Sequence, residues 1–390
     1  MRLAVVGGRL QGIEAAYLAG EAGYQVVLLD RDPAVPATGL AAETHVLDVT
    51  ADECATRAVL ETCDAVLPAC ENVKTLRWLH DRLGAWDMPF AFHLPSYELS
   101  SSKLRSDRLF AELGVPRPLP WPECGLPAVV KPSGSSGSEG VHRAGDHQEL
   151  ERARQTLEAA GHEVVVQECV DGPSLSLEVM ADGRRVLPLL PALLEFDAAF
   201  DCKRVVAPVE APAALLDSLD KAGRLIAEGL ALWGLMDVEA MVRGFEPKVI
   251  EIDARLPSQT PTCVYQACGV NMVELLCRLV LEGNLPPVQL VAARACVYQH
   301  VRVAGGEAQV LGEHVMADTR PLALWEGFFG ADVALTDYAP SRARWAATLI
   351  TLGRDVPEAR QKADEVVLRL ARDCALTLLA ESIPLQESLR

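Results

Sequence analysis

The sequence predicts an α/β protein that opens with a doubly wound parallel sheet and continues into at least one further domain. Three observations support this prediction. Residues 1–90 alternate short apolar strands with helical segments. The 390-residue chain is 50% hydrophobic, which is enough for two or three separate cores. Two later apolar segments, 236–241 and 249–256, have the length of strands but carry acids within them.

Composition argues against several classes of partner. The chain has 36 basic and 54 acidic residues, a net charge of −18, and no basic run, so neither nucleic acid nor an anionic membrane is expected to bind it. The 11 cysteines occur singly, which is typical of reduced thiols in a cytoplasmic protein. No apolar run approaches ~18 residues, so neither a signal peptide nor a membrane span is expected.

The first domain is defined by strands that alternate with helices. The predicted strands are 3–6, 25–30, 44–48 and 65–68, and the first helix is 13–22. A glycine turn at 7–12 would let backbone amides approach an anion at the helix N-terminus. Asp30 ends the second strand, where such folds often bind ribose hydroxyls. We therefore expect a nucleotide or an amino acid at this edge, although the spacing departs from the dinucleotide motif G-x-G-x-x-G.

A domain boundary is predicted near residue 95, where Pro and Ser interrupt the pattern, and a helix follows at 103–113. Lys131 then ends an apolar strand, and the loop after it, 133–140, is almost wholly Gly and Ser. Such a loop can fold its amides over phosphates while Lys131 supplies a positive charge. The alternative is a flexible linker. The loop is not a P-loop, because no G-K-[ST] opens a following helix.

Two further strands carry candidate ligand groups. The strand 163–172 ends in acids and a turn, so its backbone can meet an adenine edge with Glu168 or Asp171 near the sugar. In the next strand, Ser174, Ser176 and Glu178 alternate with apolar residues and share one face. Taken alone, that alternation predicts an ordinary half-exposed strand.

The acid-bearing strands predict a metal site. Glu251 and Asp253 are two residues apart, so their carboxylates point to the same side and repel unless a cation lies between them. Glu239 lies in the neighbouring predicted strand. Hard oxygen ligands of this kind suit Mg²⁺. Arg255 falls on the same face, where it can clamp a phosphoryl oxygen or a carboxylate. The alternative is a pair of strands whose acids are simply hydrated.

In this order, the motifs resemble the ATP-grasp superfamily of carboxylate–amine ligases. Within it, the chain is most similar to the pyrrolysine-biosynthesis ligases that join 3-methyl-D-ornithine to L-lysine. Three segments carry this resemblance: VGGRLQGIEAAY at 6–17, GLMDVEA at 234–240 and EIDARLPSQTPT at 251–262. The similarity extends from the first strand to about His300.

The resemblance implies an ATP-grasp fold in three domains. A Rossmann-like domain spans 1–95, and an ATP-grasp domain of two α+β subdomains spans 96–284. A small α+β domain spans 285–390, with predicted strands at 295–303 and 345–352 and an amphipathic helix at 357–379. We expect this last domain to support the fold rather than the chemistry.

The resemblance also implies a reaction that uses ATP and Mg²⁺. ATP would phosphorylate the α-carboxylate of the D-ornithine compound, and the lysine ε-amine would attack the acyl phosphate. Glu239, Glu251 and Asp253 would hold the metal. Arg255 and Lys131 would be the catalytic residues.

Binding roles follow from the same resemblance. The nucleotide would contact Lys103, Lys131, Glu168, Cys169 and Val170. A second nucleotide in the first domain would contact Leu10, Gln11, Asp30, Asp48 and Val49. Arg9 and Glu71 would hold the carboxylate and ammonium of lysine. The D-amino acid would be bound by Ser176, Leu177, Glu178, Arg255, Pro257, Ser258, Gln259 and Thr260, with Glu178 pairing with an ammonium.

Several points stay open at the level of sequence. Deprotonating a lysine amine at pH 7 costs about 4.6 kcal/mol, and either Asp237 or Glu71 is an acceptable base. Pro173 stands where many relatives carry a ribose-binding Glu, and Gln299 stands where an acid is expected, so specificity can differ here. A different ATP-grasp ligase or a non-catalytic nucleotide sensor is the alternative function. A homo-oligomer is one option that the sequence leaves open.

Overall fold

The computed structural model describes residues 1–135, 137 and 139–379. These residues form two compact units. Unit 1 contains 1–94, 190–209 and, of the described residues, 256–379, whereas unit 2 contains 95–189 and 210–255. Unit 1 thus contains nearly all of the predicted first domain, the described part of the third, and two segments of the second. The three-domain division itself stays a prediction.

The secondary structure alternates throughout the chain. The first elements are β1 (Arg2–Val6), α1 (Leu10–Glu21), β2 (Gln25–Asp30), β3 (Glu43–Val46), α2 (Glu53–Leu60), β4 (Ala65–Pro68) and α3 (Val73–Ala85). The next are α4 (Leu94–Ser100), α5 (Lys103–Leu113), β5 (Ala128–Pro132), β6 (His142–Ala144), α6 (His147–Ala159), β7 (Val164–Glu168), β8 (Ser174–Asp182) and β9 (Val186–Pro188). They are followed by β10 (Ala192–Phe196), β11 (Cys202–Ala207), α7 (Ala213–Gly229), β12 (Trp233–Arg243) and β13 (Glu246–Asp253).

The remaining elements belong to unit 1. They are α8 (Thr260–Cys268), α9 (Met272–Glu282), β14 (Ala295–Ala304), β15 (Glu307–Leu311), α10 (His314–Ala317), β16 (Ala323–Glu326), β17 (Val333–Thr336), β18 (Arg344–Gly353), α11 (Val356–Asp373) and β19 (Thr377–Leu378). Short 3₁₀ helices lie at Pro36–Gly39 and Phe328–Gly330.

The N-terminal part of unit 1 is a parallel sheet in the order β3-β2-β1-β4, as the strand–helix alternation predicts. Its first helix begins at Leu10, three residues before the predicted Ile13. The chain can turn this tightly because Gly7 adopts φ +109° and lies against the next strand end. A Cβ on Gly7 would lie 2.4 Å from the carbonyl oxygen of Ala69, so only glycine fits.

The second sheet of unit 1 is largely antiparallel, in the order β10-β11-β14-β18-β17-β16, with β15 pairing with β14. Helix α11 packs on it through a core that includes Val301, Trp345 and Leu370. The predicted helix 357–379 was too long at its C-terminal end, since α11 ends at Asp373. Ala375 adopts φ +52°, and the chain then pairs with β15 as β19.

Unit 2 contains antiparallel strands that belong to two sheets. Strands β13, β12 and β8 pair in that order, and β9 pairs with β8. Strands β6, β5 and β7 form the second sheet, whose core residue Val130 is buried with Leu150 and Leu157 of α6. This second sheet presents Lys131 at the end of β5, as the sequence predicted.

No single helix in the described part of the chain is long and apolar enough to cross a membrane. Helices α8 and α9 reach that length and composition only as a pair, across a bend of 94°.

Candidate active site

Strands β8, β12 and β13 of unit 2 present a polar face built as two rows. In antiparallel strands, directly opposite residues point to the same side of the sheet. Ser176, Glu239 and Glu251 lie opposite one another in the first row. Glu178, Asp237 and Asp253 form the second row in the same way. The common face predicted for Glu239, Glu251 and Asp253 is therefore present.

The opposite face of the same strands is apolar. Leu177, Val238 and Ile252 alternate with the polar residues and are fully buried. Helix α7 covers this face closely, because a Cβ on its Gly223 would lie 3.1 Å from the Leu177 side chain. Period-two alternation thus turns the Leu177 side chain toward α7, away from those of Ser176 and Glu178, so only its backbone could make the contact with the D-amino acid, which stays a prediction.

The strand that carries Ser174, Ser176 and Glu178 is not half-exposed, as its alternation alone predicted. All three side chains have no measurable solvent exposure. The sequence could not reveal this, because Asp237, the hydrogen-bond partner of Ser176, lies 61 residues away in the chain. Ser174, Ser176 and Glu178 form the deep end of the polar face, and the partly buried Glu239, Glu251 and Asp253 form its outer end.

Three cations oppose the acids. Lys103 Nζ lies 2.6 Å from Glu251 Oε1, and Arg255 Nη2 lies 2.7 Å from Asp253 Oδ2. Lys131 is buried, and its Nζ donates to the carbonyl oxygen of Ile250 at 3.2 Å. Burial lowers the pKa of Lys131, and the charge of Glu251 partly opposes this shift.

Five carboxyl groups lie on this face, two more than the three cations named above. Burial, followed by the charge of Glu178, raises the pKa of Asp237 well above its usual range. Burial, followed by the charges of Asp237 and Glu251, does the same to the pKa of Glu239. A divalent cation with oxygen ligands would add positive charge to this face, so the donor set fits Mg²⁺.

The metal site is not preassembled in this structure. No group of three His, Cys, Asp or Glu residues among residues 1–135, 137 and 139–379 is arranged to hold a metal ion. Glu251 and Asp253 are instead paired with Lys103 and Arg255. The assignment of Glu239, Glu251 and Asp253 as metal ligands therefore stays a prediction.

A buried hydrogen-bond network links the two rows. Ser176 Oγ donates to Asp237 Oδ1 at 2.6 Å and lies 3.3 Å from Glu178 Oε1. Asp237, which the sequence offered only as a possible base, is thus held in the second row. A cationic group entering this end of the face would meet the carboxyl groups of both Glu178 and Asp237.

The start of the Gly/Ser loop is anchored to helix α5. The backbone N–H of Lys103 donates to the carbonyl oxygen of Ser133 at 2.9 Å. Lys103 Nζ also donates to the carbonyl oxygen of Ser135 at 2.5 Å. The loop therefore starts beside the cations of the face, as phosphate binding requires. Ser136 and Ser138 of the predicted loop lie outside the described residues.

Glu168 is part of an ion-pair network. Its carboxylate pairs with Arg243 and with Lys248, whose Nζ lies 2.7 Å from Oε2, and it accepts the Leu119 N–H at 3.1 Å. Sequence reasoning missed Arg243 and Lys248, because nothing local signals a pairing 75 or more residues away. A sugar contact by Glu168 would have to compete with these pairs.

Cys169 and Val170, which follow Glu168, are buried. Their assignment to the nucleotide, like that of Glu168, stays a prediction.

The first-domain residues meet at the carboxyl edge of the parallel sheet. Asp30 Oδ2 accepts the Gly8 N–H at 2.8 Å, which ties the end of β2 to the glycine turn. Gln11 Nε2 donates to Glu71 Oε1 at 2.8 Å. Arg9 is exposed and lies 3.8 Å from Asp32. The structure therefore places these residues at one edge of the sheet, and the ligands assigned to them stay predictions.

The other first-domain candidates are less suited to bind a ligand through their side chains. Val49 is buried in the core with Leu60 and Leu79. Asp48 accepts the hydroxyl and the N–H of Thr50, and these hydrogen bonds lower its pKa. Leu10 opens helix α1 and is half-buried.

The segment Pro257 to Thr260 lies in unit 1, at the start of α8. Gln259 has φ +73°, a strained value for a residue with a side chain, and it provides no side-chain cap for the helix. Glu14 of α1 supplies the missing acceptor, because its Oε1 accepts the Thr262 N–H at 2.5 Å. The sequence analysis missed Glu14, although an acid in an otherwise apolar stretch of helix was a visible signal.

Gln299 is also placed differently from the sequence expectation. It is fully buried, accepts from Arg204 Nε at 2.9 Å and donates to the carbonyl oxygen of Ala363 at 3.1 Å. The side chain is therefore part of the packing of β14 against β11 and α11, and its contacts do not support a role in substrate specificity.

We expect Glu14 to make the stability of the protein fall as pH rises from about 5 to about 8. Burial raises its pKa from 4.5 to about 7, so between these values the folded state holds a proton that the unfolded chain releases. The free energy of unfolding should decrease by up to about 3 kcal/mol over this window. Urea unfolding midpoints at pH 5 and pH 8 measure the effect.

The Glu14→Gln variant should reduce that pH dependence, since an amide does not ionise. Glu21→Gln, at the exposed end of the same helix, is the matched control and should behave like the parent protein. Equal pH dependence in the parent and in Glu14→Gln would show that Glu14 is not the group responsible.

Comparison with known proteins supports the interpretation of this chain as an ATP-grasp ligase. Residues 100–259 match the ATP-grasp domain family. The chain is 34% identical over 317 residues to the 3-methyl-D-ornithine–L-lysine ligase of Methanosarcina mazei, covering 81% of this chain and 82% of that protein. It is 35% identical to the ligase of the same name from Methanosarcina acetivorans, covering 81% and 84%.

A solved structure confirms the fold. The biotin carboxylase domain of the Hydrogenobacter thermophilus 2-oxoglutarate carboxylase, in complex with MgADP and bicarbonate, superposes with a TM-score of 0.71 at 15% identity. The match covers 91% of this chain and 86% of that chain. The predicted ATP-grasp fold is therefore correct.

Proposed function

Because the chain belongs to the family of 3-methyl-D-ornithine–L-lysine ligases, ATP-grasp enzymes that form a C–N bond, we propose that it makes 3-methyl-D-ornithyl-N6-L-lysine. The γ-phosphoryl group of ATP is transferred to the α-carboxylate of 3-methyl-D-ornithine, giving an acyl phosphate and ADP. The lysine ε-amine then attacks the acyl carbon, the amine loses a proton, and phosphate leaves.

The observation that carries this proposal is the two-row polar face. Its outer end combines Glu239, Glu251 and Asp253 with lysines, which suits phosphates and a metal. Its deep end combines Glu178 and Asp237, which suits an ammonium group. A carboxylate substrate with amino groups needs both kinds of environment next to each other, whereas a nucleotide sensor has no need of the second.

Glu239, Glu251 and Asp253 would hold Mg²⁺, which supplies positive charge to the phosphoryl oxygens during transfer. Lys103 and Lys131, which now compensate the acids, would bind phosphate oxygens once the carboxylates hold the metal. Arg255, whose planar fork already binds Asp253, would stabilise the oxyanion of the tetrahedral intermediate. Asp237 and Glu71 remain the two candidate bases for the lysine amine.

The predicted lysine contacts of Arg9 and Glu71, and those of Pro257 to Thr260 with the D-amino acid, remain part of the proposal. We place the enzyme in the cytoplasm, because all 11 cysteines are free thiols, which persist in a reducing compartment.

Mass spectrometry of a mixture of the protein, MgATP, D-ornithine or its 3-methyl form, and L-lysine tests the proposal. We expect one isopeptide-linked product and one ADP per bond formed. Leaving out any one substrate should prevent product formation. ADP without an ornithyl-lysine product would show a ligase or ATPase of other specificity, and no ATP turnover with this pair of amino acids would contradict the proposal.

A further inference from the structure

Unit 1 contains a cavity of about 1030 Å³ that the proposed reaction does not use. It lies between α10, with the residues that follow it, and the loop that joins β17 to β18. Its floor includes the buried Trp345 and Ala346. The volume is at the upper end of the range for small-molecule sites, so there is room for more than a simple ion.

Arginine dominates the charge of this cavity. Four arginines line it, Arg302, Arg320, Arg342 and Arg344, against two aspartates, so the lining carries a net charge of about +2 with its histidine neutral. The chain as a whole has a net charge of −18, so the charge of this cavity is opposite in sign to that of the protein.

One of the two aspartates has a structural role. Asp337 Oδ1 accepts the Ala346 N–H at 2.9 Å, and Oδ2 binds Arg342 Nη1 at 2.7 Å and the Arg320 N–H at 3.3 Å. These bonds fix the loop between β17 and β18 onto the start of β18. Asp337 therefore holds the wall of the cavity, and it neutralises Arg342 alone.

The other three guanidinium groups are unpaired. Within the described part of the chain, the side chains of Arg302, Arg320 and Arg344 make no ion pair and no hydrogen bond. Arg302 is only half-exposed, so its charge is held at the protein surface without full hydration or a carboxylate partner.

We propose that this cavity binds a phosphorylated small molecule. Guanidinium groups match phosphate oxygens in geometry and bind them through paired hydrogen bonds. A phosphate monoester carries a charge of about −1.5 to −2 near neutral pH, which balances the lining, whereas a single carboxylate would leave half the charge uncompensated. The remaining volume accommodates the organic part of such a ligand.

Calorimetric titration of the full-length protein with glycerol 3-phosphate and with inorganic phosphate tests this site. EDTA removes divalent cations and so keeps metal-dependent binding at the catalytic residues out of the measurement, while low salt keeps the attraction between arginine and phosphate unscreened. We expect the ester to bind with one site per chain, and Arg302→Gln/Arg344→Gln to weaken it at least tenfold. Arg278→Gln, which alters an exposed arginine paired with Glu282, should have no effect.

Further measurements separate this site from others. Lys131→Gln, a change in the catalytic phosphate site, should leave the titration unchanged, and circular dichroism should show every variant folded. The proposal is overturned if neither probe binds, if only inorganic phosphate binds, or if the double variant binds as tightly as the parent. Loss of binding in Lys131→Gln, or competition by L-lysine or D-ornithine, would assign the signal to the ligase substrates instead.

Discussion

Replacing Glu251 by Gln should lower kcat by about a thousandfold or more, which corresponds to a barrier higher by about 4 kcal/mol. Glu251 lies opposite Glu239 in the strand register, and its carboxylate would be one of the groups that hold the metal. The amide keeps the size of the side chain and removes its charge. Steady-state ADP release and titration with MgADP measure the two consequences, lost turnover and weaker nucleotide binding.

Glu246→Gln provides a matched control for this variant. Glu246 begins the same strand, is exposed, and lies outside the polar face, so its replacement should leave kcat within about twofold of the parent. Glu251→Gln also removes the partner of Lys103, so the urea unfolding midpoint must be compared with that of the parent. A stable Glu251→Gln protein with more than a tenth of the parent activity would refute the metal assignment.

The second large effect concerns the deep end of the polar face. Glu178→Gln should lower kcat/KM for the D-ornithine substrate by about a hundredfold, or about 2.7 kcal/mol. Removing one partner of a buried charge pair typically costs 2–5 kcal/mol or more of binding, because the ammonium would remain desolvated without a counter-charge. We expect the loss to appear mainly in KM for that substrate, with KM for ATP nearly unchanged.

The stability of this variant separates binding from folding. Because the charge of Glu178 contributes to the raised pKa of Asp237, its removal relieves repulsion in the folded protein. The unfolding midpoint should therefore stay the same or increase. Ser174→Ala, four residues earlier on the same face, is the control and should change kcat/KM little. If Glu178→Gln raised KM for lysine instead, the ornithine assignment would be wrong.

The candidate site shows where sequence reasoning succeeds. The i, i+2 spacing of Glu251 and Asp253 fixes a common face, because the period of a strand is local. Lys131 was found from its place at the end of a strand, whereas Lys103 was assigned through the resemblance to ATP-grasp ligases. The spacing of the acids and the position of Lys131 depend only on neighbouring residues, and the structure brings Lys103 within 2.6 Å of Glu251.

The features that sequence reasoning did not predict share a different cause. The burial of Ser176, the ion pairs of Glu168 and the cap that Glu14 gives to α8 all depend on partners 61 to 248 residues away in the sequence. Local patterns cannot specify such partners. The orientation of Leu177 has a simpler, local reason. The strand alternation that turns the Ser176 side chain to the polar face turns the neighbouring Leu177 side chain to the opposite, apolar face.

By itself, the sequence determined the α/β class, the ATP-grasp order of motifs and the set of acids and lysines that we propose for phosphoryl transfer. Only the tertiary structure decided that these acids form two rows, that one end is sealed from water, and that burial raises the pKa values of Asp237 and Glu239. The physical reason is that cross-strand register and burial are properties of the packed sheet. They arise only when distant segments pair, and they decide how close the charged groups lie to one another and how far each is removed from water.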